Sequence, residues 1–199
     1  MSVTDKQTGR AAAGRDGDAR ARLRRAALEL FGERGYDRTT AAQIAARAGV
    51  TERTFFRHFP DKREVLFDGE ARLRAALTAS VADAPPGLGP LHMLFRAFRS
   101  LQPMMDENRL SSRTRQDIIA ATPALREREL AKLAALGDAL ADALKARGVA
   151  ELRAVIAART GMVAFAHAVA TWLDDPVLDL GDRFDLAFRE VEALAAERD

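Results

Sequence analysis

The chain has 199 residues, enough for one large domain or two small ones, and 48% hydrophobic with 30% charged residues suits a packed core beneath a water-facing surface. Aromatics make up only 6% while Ala, Leu and Arg abound, a composition of strong helix formers that points to an all-α fold. The lack of cysteine excludes a disulfide framework, a thiolate metal site and a cysteine nucleophile, and suits a reducing interior.

The formal net charge of +2 is unevenly spread. Lys and Arg outnumber Asp and Glu by 14 to 9 over residues 1–65 and trail them by 17 to 20 over the rest. A basic N-terminal third on a slightly acidic body suits a polyanion partner at one end.

In chain order, residues 1–17 carry Gly9, Gly14 and Gly17 and little hydrophobicity, and are expected to form a disordered arm without a signal peptide's apolar run. Asp18 is placed to cap a helix whose apolar residues Leu23, Ala26, Ala27, Leu30 and Phe31 follow helical spacing, with Gly35 beyond its end. Arg20, Arg22, Arg24 and Arg25 on this helix have two readings, a basic approach to phosphates or a solvated face. Three short helices with clear start signals are expected next. Thr40-Ala-Ala-Gln43 and Asp61-Lys-Arg-Glu64 are capping-box patterns, and Thr51 is the natural N-cap between them. Gly49 sits at the joint of the first two, so the spacing is that of a helix-turn-helix.

Beyond Leu66 a helix is expected to about Ala82, where Asp83-Ala-Pro-Pro-Gly-Leu-Gly-Pro90 breaks it. Helices then follow at 91–102, stopped by Pro103, and at about 106–121, 123–147, 151–173 and 182–198. No run alternates with period two, so no sheet is expected. No segment reaches about 18 uninterrupted apolar residues, the nearest being Thr160 to Leu173 with His167 inside it, so a soluble, cytoplasmic protein with no membrane role is expected. His58, His92 and His167 lack ligand-like spacing, and no metal or cofactor is expected. There is no nucleophile–base pair and no phosphate loop, and Gly32 and Gly35 do not form a dinucleotide pattern, so an enzyme is not expected.

The segment Thr51-Glu-Arg-Thr-Phe-Phe-Arg-His58, laid on a helix, sends Phe55 and Phe59 inward and Arg53, Thr54, Arg57 and His58 outward. An apolar back with a basic, hydrogen-bonding front is what insertion into the major groove requires: Arg can bind guanine in bidentate fashion, and Thr can meet a phosphate or a thymine methyl. Helix N-termini at Thr40, Thr51 and Asp61 offer N–H groups to phosphates, and Lys62 supplies a point charge. Two roles are open to His58, a phosphate contact or a hydrogen bond between helices. Phe55 and Phe59 are at core spacing rather than platforms for bases.

Gly35-Tyr36, Thr39-Thr40, Ile44-Ala45, Ala48-Gly49-Val50, Thr54-Phe55-Phe56, His58-Phe59 and Asp61-Lys62 together resemble the N-terminal domain of the TetR family of one-component regulators. The resemblance covers about residues 20–67. The Thr54-to-Lys62 wording and Trp172-Leu-Asp-Asp-Pro176 are similar to an actinobacterial subgroup that includes regulators of mycofactocin-type clusters. The resemblance implies a DNA-binding domain at 18–67 and a ligand-binding and dimerisation domain at 68–199. It also implies a repressor that binds a palindromic operator in double-stranded DNA as a homodimer through its last two helices, and that a small, largely apolar effector releases. The residues it assigns to DNA are Thr40, Thr51, Arg53, Thr54, Phe56, Arg57, His58 and Lys62. Two positions depart from the family pattern. Phe56 replaces a Tyr whose hydroxyl usually bonds a phosphate, and Ala42 replaces a frequent Arg, so base reading should rest on Arg53, Thr54 and Arg57.

In the body, Met93, Phe95, Phe98, Met104, Met105, Met162 and Phe165 are either plain core or the lining of an accommodating apolar cavity. Arg113, Arg115 and Arg159 are open to an anionic headgroup or to surface ion pairs, and Arg113 is counted with the cavity. Ala154, Ala158, Gly161, Ala164, Ala168 and Thr171 form a small-residue stripe that would let another helix approach, as a dimer interface needs. Asp174-Asp175 before Pro176 reads as a turn. The competing readings, an enzyme or a helical module with no DNA role, lack any motif.

Overall fold

The computed structural model describes residues 3–175 and 177–197, with side chains from residue 18 onward. The described residues form α1 (Val3–Arg34), α2 (Ala41–Arg47), α3 (Glu52–His58), α4 (Glu70–Ala82), α5 (Pro90–Arg99), α6 (Gln102–Asp106), α7 (Arg109–Ala121), α8 (Pro123–Ala146), α9 (Glu151–Asp174) and α10 (Leu180–Ala196), and no strand. The all-α expectation is met.

Several boundaries differ from expectation for local reasons. Helix α1 begins at Val3 rather than at Asp18, so the backbone of the expected arm continues the helix: extension from a formed helix avoids the cost of nucleation, and Ala11, Ala12 and Ala13 partly offset the penalty of Gly9, Gly14 and Gly17. The side chains of that arm lie outside the described residues. Asp61 does cap the backbone, accepting from the amides of Arg63 (2.7 Å) and Glu64 (3.1 Å), but no helix follows. Residues 62–69 run as turns with Leu66 N–H on Arg63 O and Phe67 N–H on Glu64 O, and Gly69 at φ 96° resets the chain before α4. Pro103 opens a short helix instead of closing one, because its missing N–H costs nothing in the first turn. The last helix starts earlier, capped by Asp179, whose carboxylate accepts from the Asp182 amide at 2.8 Å.

The chain separates into two compact units. The first comprises residues 1–68 with Thr114–Leu125, so the end of α7 and the start of α8 belong with α1–α3. Its core holds Leu23, Leu30, Phe31, Ile44, Phe55, Phe59, Val65 and Leu66, together with Ile118, Ile119 and Leu125. Full burial of such side chains stabilises by about 1.5–3 kcal/mol each. Arg115 donates to the Leu66 carbonyl at 2.5 Å and lies over the Phe67 ring.

The second unit comprises Gly69–Arg113 and Arg126–Asp199. Its core draws Leu77 and Val81 from α4, Leu94 and Phe98 from α5, Leu136, Leu140 and Leu144 from α8, and Phe165, Trp172 and Phe184 from α9 and α10. The small-residue stripe of α9 points into this core: Ala154, Ala158, Gly161 and Ala168 are buried, and a Cβ at Gly161 would sit 3.1 Å from Leu94 Cδ1. The stripe therefore serves helix packing inside the chain, and it is not the surface expected to receive another chain.

The turn after α9 is more than a break. Arg109 donates to the carbonyls of Trp172 (2.9 Å) and Leu173 (3.3 Å), and Arg113 to Leu173 O (2.9 Å) and Asp174 (2.7 Å). Arg183 holds the carbonyl and carboxylate of Asp175. Three guanidinium groups thus meet the unsatisfied carbonyls and negative dipole end of a helix.

Candidate nucleic-acid interface

The helix-turn-helix is built from backbone outward. Thr40 accepts from the Gln43 amide at 3.2 Å while the Gln43 side chain accepts from the Thr40 amide at 3.0 Å, the reciprocal capping box that starts α2. Helix α2 ends in a Schellman motif, with Val50 N–H on Ala45 O (3.0 Å), Gly49 N–H on Ala46 O (3.1 Å) and Gly49 at φ 67°. Thr51 follows at once as N-cap of α3 and accepts from the Thr54 amide at 3.1 Å. Its hydroxyl also lies 3.0 Å from the Thr54 hydroxyl, so the two Thr side chains at the head of α3 are tied together.

Helix α3 has two chemically distinct sides. Phe55 is fully buried and stacks obliquely on Phe59 with centroids 5.8 Å apart. Arg53 and Arg57 are exposed, and Phe56 is 51% exposed with its ring edge-on to Phe55. Arg53 has no hydrogen bond or ion pair among the described residues. An exposed aromatic flanked by two guanidinium groups leaves the protein little reason to keep this face dry on its own account.

The scaffold fixes this face from behind. Arg47 of α2 pairs with Glu33 (2.9 Å) and Glu29 (3.3 Å) of α1, and that hydrogen bond holds the Glu33 carboxyl below its ordinary range. Thr39, buried among apolar groups, donates its hydroxyl to Gly35 O at 2.9 Å and Leu30 O at 3.3 Å.

Two cations are engaged by groups within the fold. Lys62 spends two of its three N–H donors on the carbonyls of Tyr36 and Thr39, both at 2.9 Å, and lies over the Tyr36 ring. Arg20, although exposed, is held by its neighbours: it donates to Asp68 (2.8 and 3.0 Å) and to His58 O (3.1 Å), and stands 4.6 Å over the Phe59 ring. Arg24 approaches the same Asp68 at 3.6 Å. His58 is half-buried at the end of α3, its ring 3.5 Å from the Arg57 guanidinium. A lone sequence could not show these choices, because the acceptors are backbone carbonyls and one carboxylate 48 residues away.

In the second unit, Leu91, Leu94, Phe95, Phe98, Gly161, Ala164, Phe165, Phe184 and Phe188 surround a narrow apolar cavity of about 10 Å³, roughly the room one water needs. Of the expected lining residues, Phe95, Phe98 and Phe165 are there. Met104 and Met105 pack against the core elsewhere and Met162 is buried in it, outside the lining. Arg113 is absent from the lining because it is held by Leu173 O and Asp174. Arg159 pairs with Asp138 at 2.6 Å. Phe184 and Phe188 of α10 were missed by sequence reasoning, although their four-residue spacing marks a shared helix face.

A capped α2–turn–α3 unit with an exposed basic face, followed by an all-helical second unit, defines a helix-turn-helix regulator. The family model described as bacterial regulatory proteins, tetR family, matches residues 23–68, and that of the MftR C-terminal domain matches residues 88–196. The chain belongs to the TetR family. Among curated relatives, the HTH-type transcriptional regulator TcmR of Streptomyces glaucescens is 43% identical over 82 residues, 41% of this chain and 36% of TcmR. The match thus spans only about a third of that relative's length. Among solved structures, a triclosan complex of SmeT, repressor of a Stenotrophomonas maltophilia multidrug efflux pump, is 25% identical with TM-score 0.62, covering 88% of this chain and 90% of that one. The TetR-family repressor FadR of Thermus thermophilus, in complex with lauroyl-CoA, is 26% identical with TM-score 0.54, covering 90% of this chain and 96% of that one.

Proposed function

We propose that the chain is a ligand-responsive transcriptional repressor that binds a palindromic operator as a homodimer and leaves it when a small apolar effector occupies the second unit. The observation that carries this reading is the two-sided α3, with Phe55 buried and Arg53, Phe56 and Arg57 exposed, inside the segment matched by the family model.

In this reading Arg53, Thr54 and Arg57 read base edges, Phe56 offers an apolar contact, and Thr40, Thr51, His58 and Lys62 order the backbone around the phosphates. A two-fold dimer would place its α3 helices in successive major grooves, roughly 34–36 Å apart. The dimer is supported by apolar side chains left on the last two helices. Leu152 (73% exposed), Ile156 and Val163 share one face of α9, and Leu186 and Leu194 share one of α10. By length and composition α9 could also cross a bilayer, but one side of it is core, from Ala154 to Leu173. The effector is assigned to the apolar cavity, which must widen to admit it. Complexes of SmeT with triclosan and of FadR with lauroyl-CoA support a largely apolar effector. Any effector shifts the operator equilibrium only by its differential affinity for the two conformations.

The test is a footprint of the upstream region of the gene itself and of its neighbours, repeated across salt concentrations. Specific protection that weakens steeply with salt is expected. Uniform binding that Arg53→Ala leaves unchanged would refute the reading.

A further inference from the structure

The apolar cavity is closed on one side by a seam between two helices. Helices α5 and α10 run antiparallel, so positions 92, 95 and 99 of α5 face 192, 188 and 185 of α10. At one end His92 Nε2 lies 3.3 Å from Glu192 Oε1, and at the other Arg99 pairs with Asp185. Between these pairs Phe95 and Phe188 stack with centroids 4.4 Å apart and planes 24° from parallel. Deeper in, Phe165 and Phe184 stack at 5.7 Å and 18°, and Phe98 lies 6.2 Å from Phe184 at 29°. Five of the chain's ten Phe residues thus surround one cavity.

We infer that this cavity takes a flat, uncharged aromatic molecule, admitted by parting Phe95 from Phe188 along the α5–α10 seam. The inference rests on the effector reading above and specifies its ligand. The lining chemistry supports an arene. The wall is almost wholly apolar, so a charged or strongly hydrogen-bonding group there would lose its water without replacement. The ring faces are near parallel, and a flat π-system inserted between them regains on both sides the stacking that the rings give up. A flexible aliphatic chain would gain burial but not stacking.

The small volume of the cavity also sets what must move. It has room for about one water, whereas an apolar cavity that accepts benzene is on the order of 150 Å³. Opening must therefore precede or accompany entry, and the measured affinity is lowered by the fraction of molecules that are open. The seam is suited to opening, because the polar contacts that flank it, His92–Glu192 and Arg99–Asp185, are solvent-exposed and individually weak. Gly161 forms the opposite wall; a Cβ there would stand 3.1 Å from Leu94 Cδ1 and 3.4 Å from Phe98 Cε2.

The test uses the full chain with three probes, 1-naphthol, decan-1-ol and 1-naphthoate, titrated by calorimetry and followed by thermal shift. Naphthol is expected to bind at least tenfold more tightly than the other two. Phe95→Leu and Phe188→Leu keep apolar volume while removing a ring face; each is expected to retain the wild-type melting temperature within a few degrees and decanol affinity, and to lose tenfold or more for naphthol. Since the chain has no cysteine, His92→Cys with Glu192→Cys, bridged by a short bis-thiol reagent, closes the seam selectively. Bridging is expected to abolish naphthol binding. No naphthol binding, decanol binding as tightly as naphthol, or naphthol affinity indifferent to both Leu variants overturns the arene. Unchanged entry into the bridged protein overturns the seam. An operator released by decanol but not by naphthol sinks this inference while leaving the repressor reading intact, and absence of any operator binding sinks the repressor reading whatever naphthol does in the cavity.

Discussion

The Lys62 ammonium lies 4.2 Å from the centre of the Tyr36 ring and donates to the Tyr36 carbonyl at 2.9 Å, joining the turn after α3 to the loop that enters α2. Its bond to Thr39 O makes the same ammonium a clasp for the carbonyls just ahead of the helix-turn-helix.

Removing that clasp should cost fold stability before it costs DNA affinity. Lys62→Met keeps the alkyl stem and leaves two half-buried carbonyls without their donor, a loss of about 1–3 kcal/mol. Urea unfolding should show a lower midpoint at unchanged slope. A stability equal to wild type, with only the salt slope of operator binding reduced, would instead assign Lys62 to phosphate.

Tyr36 should report on the same corner at high pH. Burial pushes its phenol up to about 12 from an ordinary 10, against the opposing pull of Arg63. The folded state therefore favours the neutral phenol. The resulting stability is fully present below pH 10 and is lost as pH rises from about 10 towards 12. It is the chain's sole tyrosine, so ultraviolet titration near 295 nm follows it alone. Tyr36→Phe should flatten the dependence of the urea midpoint on pH in that window. An identical slope in the variant would contradict the assignment.

Arg53 and Arg20 should separate into opposite phenotypes. Truncation to Ala of Arg53, exposed and unengaged among the described residues, is expected to lose about 1–3 kcal/mol of operator affinity, roughly fivefold to 150-fold, with stability within about 0.5 kcal/mol of wild type. Arg20→Ala gives up bonds to Asp68 and His58 O and the contact with Phe59, and should lower stability by about 1 kcal/mol after allowance for its solvent exposure. Paired gel shifts and melts decide this, and a reversed pattern would place Arg20 at the DNA.

Gly137→Ala is expected to stabilise. A Cβ there meets the Arg159 guanidinium at 3.1 Å, the movable tip of a half-exposed side chain, and Met162 Cγ at an ordinary 3.5 Å. Replacing a mid-helix Gly returns up to about 1 kcal/mol, while releasing the exposed Arg159–Asp138 pair costs less than that. A melting temperature below wild type would show that Arg159 cannot yield.

Local signals carried the helix-turn-helix well. Thr40-Ala-Ala-Gln43, Gly49 and Thr51 each act within a few residues, so caps and the Schellman turn follow from sequence alone, as does the inward Phe55 opposite an outward Arg53. The same local rule failed at Asp61: its carboxylate caps two amides, but the chain continues into turns and Gly69 restarts it.

What the sequence by itself determined was helical content, the helix-turn-helix segment and the family that segment resembles, because each depends on patterns of period 3.6 and on neighbours within one turn. Tertiary structure decided which of two equally possible partners a side chain took. Lys62 and Arg20 are bonded within the fold because carbonyls and a carboxylate far along the chain come within 3 Å of them. The α9 stripe faces α5 because Leu94 and Phe98 fill the space above Gly161. Phe184 and Phe188 join Phe95, Phe98 and Phe165 only because α10 folds back antiparallel along α5, an adjacency made by packing rather than by spacing.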